Sequence, residues 1–202
     1  MPTDPAAEPV HLNPIEIWYI YKTKILTYAG IILTGLIIFA AIQLIDYRRA
    51  QGSQSLYEQA KTADDFRAVI QQYPGTPVAG DAALRLGALL REEKKFDESA
   101  AVLRNFAEKY PGHPLAAGGW TSLGATYETQ GKLDDALQAN ASAISKYPEA
   151  YTTPIAMMAQ ARIYAAQGKK EEARRTYQDV ASRFQQSIYG RQAMREIHFL
   201  KK

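Results

Sequence analysis

The chain has 202 residues, no cysteine, 24 lysines and arginines against 21 aspartates and glutamates, and a formal net charge of +3. The missing cysteine excludes a disulfide framework and a thiolate metal site. So small and mixed a charge argues against the clustered basic face that nucleic acid requires.

Residues 1–12 contain Pro2, Pro5 and Pro9 and read as a disordered tail. A helix with interfacial flanks is expected over 13–50. Asn13 suits its cap, Pro14 its first helical position, and Glu16 the place where a capping box wants an acid. Ile25–Ile45 is a run of 21 residues without a charge, matching the ~20 helical residues that cross a ~30 Å hydrocarbon core. Its isoleucines, leucines and phenylalanine together favour insertion by roughly 4–7 kcal/mol. Trp18, Tyr19 and Tyr21 precede the run and Tyr47 follows it, as interfacial aromatics do. The run is longer than a signal-peptide core and no A-x-A site follows it, so it reads as an uncleaved anchor. Lys22 and Lys24 on one side balance Arg48 and Arg49 on the other, which leaves the orientation open, and Lys61 and Arg67 lean toward a cytoplasmic C-terminal domain. Gly30 and Thr34 form a small-xxx-small pair, and Gly52-Ser53 suggests a hinge before the remaining domain, 51–202.

That domain carries an internal echo. Tyr73-Pro74, Tyr110-Pro111 and Tyr147-Pro148 stand 37 residues apart, and the next step lands on Phe184. Gly87, Gly124 and Ala161 keep the same spacing, as do Leu90, Tyr127 and Tyr164. A fixed period of this size marks a solenoid whose units bury their apolar faces against neighbours. Within each unit the apolar residues recur at helical spacing on two faces separated by a polar turn, which predicts two antiparallel helices. The small residues at Gly87, Gly124 and Ala161 admit the paired helix closely, with Ser99, Ala136 and Ala173 as the matching small surface. A half-repeat over 53–74 comes first, with Thr62 and Asp65 as a helix cap. Repeats over 79–111, 116–148 and 153–185 follow, then a capping helix over 188–200. Roughly seven or eight helices should stack after the anchor.

These residues resemble the tetratricopeptide repeat. Its W-x2-L-G-x2-Y signature stands intact as Trp120, Leu123, Gly124 and Tyr127, with Ala136, Ala143 and Pro148 at the expected steps. In the first repeat Ala83 replaces the aromatic residue, and in the third Gln160 and Gln185 depart from the pattern. The resemblance implies an α-solenoid of antiparallel helix pairs, and with the transmembrane helix read above the chain is expected to be all-α, one span followed by that solenoid. The resemblance also implies that the first helix of each unit lines a groove for protein or peptide segments. Carried over by position, the lining is Leu84, Ala88 and Arg91, then Thr121, Ala125 and Glu128, then Met158, Arg162 and Ala165. The family's carboxylate clamp uses Lys and Asn, and Thr121 and Ala125 are neither, so looser contact with apolar segments is expected, with Met157-Met158 as adaptable side chains.

No constellation points to catalysis, a cofactor, a metal or a small-molecule substrate. His11, His113 and His198 lie in separate segments without ligand spacing. No nucleophile elbow or phosphate loop occurs. Asp64-Asp65 and Asp134-Asp135 start helices, where carboxylates complement the dipole. Asn140-Ala141-Ser142 is a formal glycosylation triplet within an expected helix. The layout of tail, single span and short array resembles the ancillary SecYEG translocon subunits of bacteria. That implies a non-enzymatic adaptor of the inner membrane, its C-terminal domain periplasmic, with the translocon and periplasmic chaperones as partners. An envelope-assembly or cell-division scaffold, or a cytoplasm-facing assembly platform, is the alternative.

Overall fold

The computed structural model describes residues 13–200; the tail over 1–12 and the side chain of Glu16 lie outside the described residues. Among these the helices are α1 (Pro14–Gln59), α2 (Ala63–Gln72), α3 (Pro77–Glu92), α4 (Phe96–Lys109), α5 (Ala116–Thr129), α6 (Leu133–Lys146), α7 (Thr153–Ala166), α8 (Lys170–Arg183) and α9 (Ile188–Phe199). The fold is all-helical, and the chain divides into two units between Arg48 and Arg49.

The first unit is the N-terminal part of α1. Asn13 opens it, its Oδ1 accepting from the Ile15 N–H at 3.2 Å. Along the helix the large apolar side chains point outward, Ile31 at 63% and Phe39 at 60% exposure. The hydroxyls of Thr27 and Thr34 donate to the carbonyls of Thr23 and Gly30 one turn back, at 2.7 and 2.8 Å, so they ask nothing of their surroundings. This helix is long and apolar enough to cross a bilayer.

The second unit begins with the end of α1. Leu56, Tyr57 and Ala60 pack against Phe66 and Val69 of α2 and Leu86 and Leu90 of α3. The helix runs unbroken through Gly52 and Ser53, which corrects the expectation of a hinge there. Gly52 serves contact and not bending: a Cβ on it would stand 2.5 Å from the Tyr73 hydroxyl oxygen. Ser53 is fully buried and donates to Ala50 O at 2.9 Å.

Eight helices, α2 to α9, then stack in sequence. Thr62 and Asp65 form the expected reciprocal capping box at the start of α2. The backbone N–H groups of Lys61 and Thr62 hold the Asp65 carboxyl below the usual carboxylate range. Close approach of paired helices is visible at the small residues. A Cβ on Gly87 would lie 2.6 Å from Leu103, and one on Gly124 would lie 2.7 Å from Asn140. Ser99 donates its hydroxyl to Gly87 O at 2.7 Å, while Ala136 and Ala173 are wholly buried. Asn140 is itself fully buried and donates to Ala136 O, so its formal glycosylation triplet is inaccessible in the folded chain.

The tyrosines of the echo are the C-caps of α2, α4 and α6, and Phe184 is that of α8. Two of them fasten one inter-unit loop to the loop before it. Tyr110 Oη accepts from the Gly75 N–H at 3.2 Å, and Tyr147 Oη donates to Pro111 O at 3.0 Å. His113 adds a further stitch. Its Nδ1 accepts from the Leu115 N–H, which leaves Nε2 to donate to Pro77 O at 3.1 Å. A third ladder is amide to carboxylate: Gln130 donates to Asp97 and Gln167 to Asp134, at 2.8 and 3.2 Å.

The turn joining the two helices of a unit needs one residue in the left-handed region. Gly131 and Gly168 take it at φ 73 and 76, and Lys94 takes it at φ 61 in the first repeat. A side chain there costs about 1–2 kcal/mol. Lys94→Gly should therefore stabilise the domain, raising the thermal midpoint by about 2–4 °C per kcal/mol recovered; an unchanged or lower midpoint counts against this account. Tyr147→Phe, which removes a single loop-to-loop hydrogen bond, should cost about 1 kcal/mol in the same measurement.

Candidate functional site

Within the second unit α3 touches α5, α5 touches α7 and α7 touches α9, whereas α4, α6 and α8 make no such contacts among the described residues. Helices that approach one another across a unit lie on the inner side of a curved stack. The first helices of the units therefore line a concave surface, and they bring the sequence-predicted residues into three parallel rows.

The N-terminal part is small and apolar apart from Arg91. Leu84 is half-buried and packs onto the central core, its Cδ2 close beside Gly119. Ala88, Arg91 and Ala125 are half-buried, as is Thr121, whose hydroxyl donates to Ala117 O at 2.9 Å on its own helix. The middle is an ion pair: Arg162 Nε and Nη2 each lie 2.9 Å from one carboxylate oxygen of Glu128, bridging α7 to α5 in fork-to-fork geometry. Two of the predicted lining residues thus satisfy each other. Hydrogen bonding to Glu128 raises the Arg162 guanidinium above its already high ordinary value.

Met158 is a floor residue and not a flexible contact. It is 6% exposed and Met157 is 3% exposed. Both are held in a cluster to which Ala193 and Ile197 of α9 belong. Ala165 is half-buried at the edge of that cluster. Below it, burial pushes the Tyr177 phenol up, the nearby Glu196 carboxylate adds to this, and Arg162 opposes it. Arg162 and Tyr177 both titrate further above neutral pH than usual, the reverse of what general acid–base chemistry needs.

Sequence reasoning missed the fourth row. One more step of 37 carries Leu84, Thr121 and Met158 to Arg195, and Ala88, Ala125 and Arg162 to Phe199. Both lie on α9, which contacts α7, and Phe199 is 63% exposed. The signal was available in the period itself, had the capping helix been treated as a lining helix. Tyr151 is the other omission. It is 69% exposed, and its hydroxyl comes within 4.0 Å of a Cβ built on Gly118 of α5. Along the stack this face therefore carries small apolar side chains with Arg91 on α3 and α5, the Glu128–Arg162 pair between α5 and α7, and Arg195 and Phe199 on α9. Among the described residues no group of three histidine, aspartate or glutamate side chains gathers to hold a metal.

A family model described as tetratricopeptide repeat-like domain matches residues 16–197. Similar solved structures include a putative kinesin light chain with nearly identical TPR-like repeats from Podosopora anserina. It is 14% identical with a TM-score of 0.56, over 76% of this chain and 81% of that one. BtubC from P. vanneervenii is 17% identical with a TM-score of 0.56, over 76% and 65%. The MamA protein is 17% identical with a TM-score of 0.53, over 77% and 78%. No curated protein matches.

The Glu128–Arg162 pair is largely open to water, at 26% and 57% side-chain exposure, so it adds little stability, below about 1 kcal/mol. Glu128→Ala should shift the thermal midpoint by less than about 4 °C while leaving an unpaired cation in the groove. A larger loss would mean that the pair holds α5 and α7 together.

Proposed function

The chain belongs to the tetratricopeptide repeat-like domain family, and on that premise we propose that it is a membrane-tethered, non-enzymatic adaptor that holds segments of other proteins in its concave groove. The family fold is a protein–protein interaction scaffold. One observation carries the assignment to this surface: α3 touches α5, α5 touches α7 and α7 touches α9, and the four present register-related side chains along one face. Leu84, Ala88 and Ala125 offer small apolar seats at one end, with Arg91 beside them, and Arg195 and Phe199 offer charge and an aromatic edge at the other. A segment with apolar residues and a carboxylate toward its end would match this order.

The tether is Ile25–Ile45, whose length and lack of charge suit a single crossing. At its most specific, the reading is a bacterial inner-membrane protein with its C-terminal domain in the periplasm. There it would serve secreted-protein translocation or the chaperones that receive the product. The layout of one span before a short repeat array supports this placement.

A photoreactive residue at Ala125 of the full-length, membrane-inserted chain should trap protein partners that one at Arg175 on α8 does not. Equal trapping at both positions, or none at Ala125, overturns the groove. Extraction in mild detergent should recover translocon components or chaperones with the chain; recovery of a different envelope complex without them overturns the placement. Reporter fusions at Lys202 should be active on the periplasmic side only.

A further inference from the structure

The 37-residue register compares not only the inner faces of the units but also the outer grooves between their second helices. At one position the side chains are Ala83, Trp120, Met157 and Met194. Trp120 is 9% exposed and fills the groove between α4 and α6, leaving a cavity of about 160 Å³. Met157, 3% exposed, fills the next one. In the first repeat the residue is alanine, and the corresponding groove between α2 and α4 has a volume of about 390 Å³. Its floor is apolar, made by Ile70, Ala83, Leu86 and Val102, and its mouth opens between Gln71 and Lys109.

We propose that this groove is a socket for an aromatic side chain, a tryptophan flanked by acidic residues, presented by a partner protein. The molecule itself shows what the frame accepts, because an indole occupies the same place one unit later. It also shows the charge that attends the ring: Lys146 Nζ lies 4.5 Å from the Trp120 ring centroid. Lys109 is the counterpart of Lys146, 37 residues earlier. It lines the empty groove, and it makes no ion pair among the described residues. The other cation on the rim, Arg67, is already held by Asp64 and Glu98 at 2.7 and 2.8 Å. One ammonium is thus left to cover an incoming ring face and to meet a neighbouring carboxylate. Gln71 and Asn105 are at hand to accept from an indole N–H. This surface lies on the opposite side of the stack from the concave groove, and it stands or falls independently of that reading.

The test uses the full-length chain in lipid nanodiscs, labelled at Ala, Ile, Leu and Val methyls, with the capped tripeptides Glu-Trp-Glu and Glu-Ala-Glu as probes. Glu-Trp-Glu should shift the methyls of Ala83, Leu86 and Val102, and Glu-Ala-Glu should bind at least tenfold more weakly. Ala83→Trp, which supplies the ring in cis, should weaken Glu-Trp-Glu at least tenfold. Lys109→Gln should weaken it about threefold. Shifts confined to Leu84 and Ala125 would assign the peptide to the concave groove and overturn the socket. Equal binding of the two probes would overturn it as well, and that comparison holds even if Ala83→Trp loses its helical circular dichroism.

Discussion

The structure depends on the distance at which the two helices of each unit meet. No single pair encloses a core, so each must bury its apolar face against the pair beside it, and that requires backbones in near contact. Gly87 against Leu103 and Gly124 against Asn140 leave no space for one further carbon. Where the period brings alanine instead, at Ala161, the side chain is completely buried. Once those distances are set, the remaining features follow. Ser99 can reach the carbonyl of Gly87, successive first helices touch, and the groove acquires its rows.

The loops between units obey a second constraint. An exposed connection of several residues is a costly thing to order, and here the loops after α4 and α6 are each tied to the one before. Tyr110, Tyr147 and His113 supply these ties from side chains placed at or just after a helix end. The proline after each tyrosine ends the helix, so the hydroxyl is presented where the preceding loop passes. At Phe184 the ring is kept and the hydroxyl is lost. The loop between α6 and α7 has a bond of its own as well, Thr153 Oγ1 donating to Tyr147 O at 2.7 Å.

Much of this was legible from the 37-residue period, because a period reports which residues share a position even when it says nothing of distance. The helix pairs, the close-packed small residues and the Thr62–Asp65 cap were all readable in that way. Three things were not. Gly52 carries the local signature of a flexible joint, and only the ring of Tyr73 laid against it reveals a contact glycine. Met158 occupies a lining position by register, but packing of α9 over α7 turned it into floor. The Glu128–Arg162 pair joins residues 34 apart, not 37, so no alignment of equivalent positions brings them together. Lys94 is an intermediate case. Its echo is Gly131 and Gly168, which signals a left-handed turn that the residue itself conceals.

The last helix shows how a repeat position can change its purpose. His198 stands where Gly87, Gly124 and Ala161 stand in the three units before it, and it is exposed. A helix that paired with α9 as α4 pairs with α3 would meet an imidazole where the earlier units offer hydrogen or a methyl group. Met194 and Phe199 of α9 are open at 64% and 63% exposure, although Met157, one repeat earlier than Met194, is core.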